Sequence, residues 1–445
     1  MLHSFNTNYL SKITIFLGYL ILILNSALLF RDIWMDEFLH FALGSSKSFK
    51  EAISITIHSI GNVNHGQTGT YMIIDFLLLK IFGASSIALR LPSVIASSFM
   101  FYAGNLIIQH KSNNNFLAKI LLLLSFAGSA TLLSFIGEAR PYMPLAASAI
   151  LLLAFYVIDP EEISLVQREL LYFSGIFFGA LFHPYFPLYW LIAILIGYLD
   201  ALENKKIKGS LKSLILFSNP IRIFLGGFIY ITIASLTWLF KPASFTFNPF
   251  QWVSQSQFLE IFSNLHFQFV GELFIVFTTL IFFLIVIFLI TKNLTISKIS
   301  IPVLLIIITC TASLIISYIS YTRSYWILPR QWSGSLALIP VSCVWLLVSL
   351  INMQRKLVRS VTLTIFIFLI CNKAFTTQIA LFNENLTAYK NQTTPSKLSC
   401  KSRTAEISNV IDEGNKTWVL LANRNINCGG SVWPIFRQYY QGQLD

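Results

Sequence analysis

The sequence predicts an all-α polytopic membrane protein: about eleven membrane-spanning helices, juxtamembrane helices on one face and a small soluble C-terminal tail. Three observations predict it. First, the 445 residues are 55% hydrophobic and only 11% charged, whereas soluble domains carry about 25% charged residues, so this chain has too little polar surface to cover itself in water. Second, apolar runs long enough to cross a hydrocarbon core recur along the chain. Third, the Lys and Arg that give a net charge of +12 fall mainly in the loops between those runs. That distribution is the positive-inside pattern and not a basic patch, so nucleic acid is excluded as a partner.

A helix needs about 20 apolar residues to span the bilayer core. Spans are expected near 13–30, 91–109, 116–136, 141–158, 169–183, 185–199, 222–240, 271–291, 301–320, 327–350 and 361–381. The first is expected to be retained, because no small-residue cleavage site follows Phe30. The fifth and sixth are short and separated by His183-Pro184. Proline would break a continuous helix there, which predicts a tight hairpin with His183 at its turn. Thr70 to Phe82 is apolar but too short to cross and contains Asp75 and Lys80; it is expected to lie on the membrane surface.

Basic residues cluster at Lys205, Lys206, Lys208, Lys212 and Arg222, and again at Arg355, Lys356 and Arg359. This bias places the N-terminus inside. The first outer loop (31–90), the Gly137–Pro141 turn, the His183 turn, the 241–270 loop and the 321–330 loop then share one compartment with the tail. Residues 1–382 form the membrane domain in this reading, and 383–445 the tail. Cys310, Cys343 and Cys371 lie in apolar runs and read as inert packing residues. Cys400 and Cys428 lie in the tail and could pair if it is outside the cytoplasm. Three sequons, at Asn385, Asn391 and Asn415, matter only in a eukaryotic secretory pathway.

The unusual polar residues gather on that outer face. Trp34-Met35-Asp36-Glu37 follows the first span. A carboxylate there can be a general base or a metal ligand; it can also cap a helix. His65 precedes the surface helix, as a substrate or metal ligand or as a merely exposed side chain. Arg90 opens the second span, where snorkelling to headgroups is the plainer role. Glu138-Ala139-Arg140-Pro141-Tyr142 joins two apolar helices with almost no loop. Its charges must face a polar cavity, headgroups or each other. His183 and Tyr185 lie at the next outer turn, as site residues or interfacial anchors. Arg330 begins the tenth span between Trp326 and Trp332. Its planar fork at a helix start suits a phosphate, or again an anchor. A transporter would place such groups near the bilayer midplane, so a surface site for a substrate with a lipid tail and a polar head fits better.

In this order, Trp34-Met35-Asp36-Glu37, His65, Phe82-Gly83, Ala88-Leu89-Arg90-Leu91-Pro92-Ser93, Glu138-Ala139-Arg140-Pro141-Tyr142 and His183 resemble the GT-C glycosyltransferases. They are most similar to the family 39-like enzymes, which include protein O-mannosyltransferases and the aminoarabinose transferase of lipid A. The likeness covers 13 to about 200 well, is looser around Pro329-Arg330 and is absent from the tail. It implies a GT-C-like bundle whose donor is a polyprenyl-phosphate-linked sugar and whose acceptor is a lipid, glycan or protein on the periplasmic or lumenal face. It also implies catalysis by the Asp36-Glu37 pair, with Asp36 as base, and substrate contacts from Glu138 and Arg330. Relatives commonly carry His-Pro-Pro-Leu-Tyr where this chain has His65-Gly66-Gln67-Thr68-Gly69-Thr70-Tyr71, a departure that bears on acceptor recognition.

The expected chemistry is one-step inversion. Asp36 takes the acceptor proton, and the cations Arg330 and Arg140 stabilise the departing phosphate. Retention would require two carboxylates about 5 Å apart across the reacting bond, and sequence neighbours tend to point different ways. No cofactor is demanded; if a divalent metal took part, Asp36, Glu138 and His65 would be its ligands. The alternatives are a catalytically inactive relative and a polytopic lipid or solute transporter.

Overall fold

The computed structural model describes residues 2–27, 37, 40, 48–55, 70–83, 86–204, 209–238, 297–323, 332–351 and 356–393. Among these every regular element is helical. In chain order they are α1 (Leu2–Ser26), α2 (Phe49–Ile55), α3 (Thr70–Phe82), α4 (Ser86–Lys111), α5 (Phe116–Ala127) and α6 (Ala130–Ser134). After a 3-10 turn at Phe135–Gly137 come α7 (Tyr142–Val157), α8 (Leu165–Ala180), α9 (Phe186–Glu203), α10 (Leu211–Ser218), α11 (Pro220–Trp238), α12 (Ser297–Arg323), α13 (Ser333–Ile351) and α14 (Lys356–Thr393).

The architecture is organised around α7. Every one of its residues is buried, as expected of a helix that is apolar all round. It packs against α4, α8, α9 and α13. Close approach to α8 and α9 is made through glycine. Gly175 and Gly179 on α8 form a small-xxx-small stripe, and Ser148 of α7 donates to Gly175 O at 2.7 Å across it. On α9, a Cβ at Gly197 would lie 2.5 Å from Tyr156 Cβ and 2.8 Å from its carbonyl oxygen, so the two helices touch backbone to backbone there.

Three helices are long and apolar enough to cross a membrane, at Ile87–Lys111, Phe186–Glu203 and Phe366–Thr387, or five if each bent pair counts as one span. Shorter apolar helices lie at Ser11–Ser26, Tyr142–Val157, Ile301–Ser313 and Ser333–Ser349. The described residues therefore carry three to five candidate spans, fewer than the eleven expected; the expected span at 271–291 lies outside them.

The expected span at 116–136 is broken: α5 and Ala130–Gly137 meet at a 73° bend. The bend is accommodated by α14. Gln378 Nε2 donates to Ala127 O at 3.0 Å and Thr377 Oγ1 to Gly128 O at 3.3 Å, so carbonyls released by the break are satisfied by a neighbouring helix. Asn25 of α1 joins this belt through Gln378 Oε1 at 2.8 Å, and Asn385 donates to Asn25 O at 2.6 Å. α14 continues past residue 382 to Thr393. Cys343 is buried in the core, whereas Cys371 is exposed on α14. Cys400 and Cys428 lie outside the described residues.

The hairpin at His183-Pro184 forms as the sequence predicts: α8 ends at Ala180 and α9 restarts at Phe186. The apolar run 70–82 is a helix with those limits. The result is a bundle in which the start of α4, the 138–141 segment, the start of α7 and the α8–α9 turn meet at one end.

Candidate functional site

The site is built on a segment that is not helical. Pro141 follows Arg140, and a following proline biases a residue away from the α region. Glu138 is extended, with φ −120° and ψ 133°. The peptide groups of 138–140 are thus free to bond outward, and they do so to two partners. Ala139 N donates to Glu37 Oε1 at 2.8 Å. Ser93 Oγ, one turn along α4 from Arg90, donates to Glu138 O at 2.7 Å.

Glu37 is the hub. Arg90 Nε donates to its Oε1 at 3.0 Å and Nη2 to its Oε2 at 2.9 Å. The two side chains are 0% and 1% exposed, which rules out snorkelling as the role of Arg90. This parallel pairing is the strong form of a charge-assisted bond. A single carboxylate thereby ties together the first loop, the start of α4 and the 138–140 segment.

A second buried pair stands beside it. His40 Nδ1 lies 2.6 Å from Asp75 Oδ2, and both residues are fully buried. Burial, and then the charge of Glu37, hold the Asp75 carboxyl well above the usual carboxylate range. Burial, and then Arg140, push the His40 imidazole well below its usual value. Tyr71 joins the pairs to α4: its ring meets His40 edge-on at 5.2 Å, and its hydroxyl is 2.8 Å from Ser93 Oγ.

From Arg140 an aromatic chain runs to the α8–α9 turn. Its guanidinium carbon is 5.6 Å from the Tyr142 ring centre, and Nη2 donates to Tyr142 OH at 3.4 Å. The Tyr142 ring lies 6.2 Å from His183, which lies 5.3 Å from Tyr185. Tyr185 N donates to His183 Nδ1 at 3.2 Å, so the remaining imidazole proton sits on Nε2. Burial, then Arg140, push His183 down to about 3.

Seven residues singled out in the sequence therefore come together: Glu37, Arg90, Glu138, Arg140, Tyr142, His183 and Tyr185. Asp36, His65 and Arg330 lie outside the described residues. The sequence reading missed His40, Tyr71, Asp75 and Ser93. Asp75 carried a signal, because an acid inside an apolar helix is expensive unless partnered. His40 follows Glu37 by three, the spacing of one helix face. Among the described residues no three His, Cys, Asp or Glu side chains gather to hold a metal ion. No protein-family model, curated protein or solved structure matches the chain.

Proposed function

We propose that the chain is an integral membrane glycosyltransferase with a GT-C-like bundle of about eleven spans. It moves a sugar from a polyprenyl-phosphate donor to an acceptor on the periplasmic or lumenal face. The observation that carries this reading is the bridge from Glu37 to Arg90 and Ala139 N. It joins three motifs far apart in the chain at one end of the bundle.

In this reading the two acids of the first loop divide their work. The Glu37 carboxylate is occupied by Arg90 and Ala139 N–H and acts as a positioning group. Asp36 is the base that removes the proton from the acceptor hydroxyl or amine. The acceptor forms a bond to the anomeric carbon as the bond from that carbon to the phosphate oxygen breaks. The lipid phosphate leaves with the electron pair, and Arg140 and Arg330 stabilise it. Inversion follows from the single displacement.

The test is transfer of label from a panel of radiolabelled polyprenyl-phosphate sugars in membranes carrying wild type or Asp36→Ala at equal level. Wild-type transfer that the variant lacks is the expected result. Absence of wild-type transfer from every donor would shift the reading to an inactive relative or a transporter.

A further inference from the structure

The His40–Asp75 pair has no place in the displacement just described, yet it is the most deeply buried acid–base pair at the site. Both side chains are 0% exposed, and the contact is 2.6 Å. Asp75 Oδ1 and His40 Nε2 have no hydrogen-bond partner among the described residues. Leaving such atoms buried without a partner is unfavourable, so α3 carries Asp75 against its own packing interest.

What the pair holds is clear from the spacing. Glu37 and His40 are both helical and lie three residues apart in the chain. Glu37 is gripped from the α4 side by Arg90, and His40 from the α3 side by Asp75. The two grips hold residues three apart in the chain, and Asp36 is joined covalently to Glu37. The charged state of each grip differs. Arg90 and Glu37 form an ion pair. Ionising Asp75 alone would add a second negative charge near Glu37, and protonating His40 alone would add a second positive charge near Arg140. The groups facing the pair are Glu37, Arg140 and Tyr71, and they favour one shared proton with no net charge.

We propose that His40 and Asp75 form a neutral, proton-sharing latch that anchors the chain close to Glu37 and so positions the neighbouring base of the transfer reaction. Both are positioning residues, and the inference rests on the function proposed above.

The latch predicts a split between two substitutions at one position. Asp75→Asn keeps a neutral hydrogen-bonding partner for His40; Asp75→Leu removes it. In the purified full chain, Asp75→Asn retains kcat within about threefold, whereas Asp75→Leu and His40→Leu lose about tenfold to 100-fold, the scale of a displaced catalytic group. KM for the lipid donor stays within about twofold in all three, because neither residue touches it. Asp75→Asn falling as far as Asp75→Leu would show that a charged Asp75 is needed and overturn the latch. Wild-type kcat in Asp75→Leu would overturn the positioning role. Thermal melting at pH 7 separates this from failure of the transferase reading, since it needs no activity. The latch predicts Asp75→Asn within about 2 °C of wild type and Asp75→Leu several degrees below. Equal destabilisation by both would overturn it even in a chain that transfers nothing.

Discussion

Arg90 holds both carboxylate oxygens of Glu37, at 3.0 and 2.9 Å, in a site with almost no solvent exposure. Removing one partner strands a buried charge, which is unfavourable by about 3–5 kcal/mol. Arg90→Leu should therefore lower the unfolding midpoint sharply, and Arg90→Lys should recover only part, because a point charge cannot match two oxygens. The double variant Arg90→Leu/Glu37→Leu should be more stable than the sum of the single changes. Urea or thermal unfolding in detergent gives the coupling directly; additive losses would mean that the two side chains do not act as a pair.

The depressed His183 makes stability depend on pH in one direction. Its folded-state value of about 3 lies below the usual 6.5. Between those limits the unfolded chain binds the extra proton, so stability is full above about pH 6.5 and falls as pH drops toward 3. His40 adds the same sign, while raised Asp75 opposes it, favouring the folded state at low pH and losing that contribution as pH rises. His183→Asn removes one contribution alone. Melting curves from pH 4 to 8 should show a flatter acid-side slope in this variant than in wild type.

Backbone contact between α7 and α9 predicts a packing defect remote from the site. Gly197→Ala would place a Cβ 2.8 Å from the Tyr156 carbonyl oxygen, and the backbone must shift. A loss of about 1–3 kcal/mol is expected, the range for overpacking a filled core. Measured stability equal to wild type would mean that the helices separate without penalty.

At the opposite end of α4, Lys111 Nζ bonds both oxygens of Asp200 at 2.8 and 2.7 Å and lies 4.6 Å from the Trp345 ring centre. This cation ties α4, α9 and α13 together. Lys111→Met should destabilise more than Lys111→Met/Asp200→Leu, since only the single change leaves the carboxylate unpaired. A thermal melt of both variants decides this, and the reverse order would remove the pair from the account.

Much of this arrangement was legible in the sequence, for physical reasons that differ by element. The limits of α3 follow from an apolar run bounded by polar residues, and the α8–α9 hairpin from a proline that disfavours a continuous helix. The bend after Ala127 was not legible, because the groups that satisfy it, Thr377 and Gln378, lie on α14, far along the chain. The same holds at the site. The charges of Glu138 and Arg140 stand out between two apolar helices, but what organises their segment is backbone: Ala139 N and Glu138 O, which no side-chain motif reports. Asp75 stands out as an acid inside an apolar helix, but nothing in the sequence names His40 as its partner; their meaning comes from the 2.6 Å contact.

The division of labour between Asp36 and Glu37 is the central claim, and the most direct test is donor turnover by purified wild type, Asp36→Asn and Glu37→Gln. The account predicts that Asp36→Asn folds and binds the polyprenyl-phosphate sugar as wild type does, yet loses at least about 100-fold in kcat, within the range of a general base. Glu37→Gln should lose stability along with activity. Asp36→Asn turning over at the wild-type rate would contradict the account.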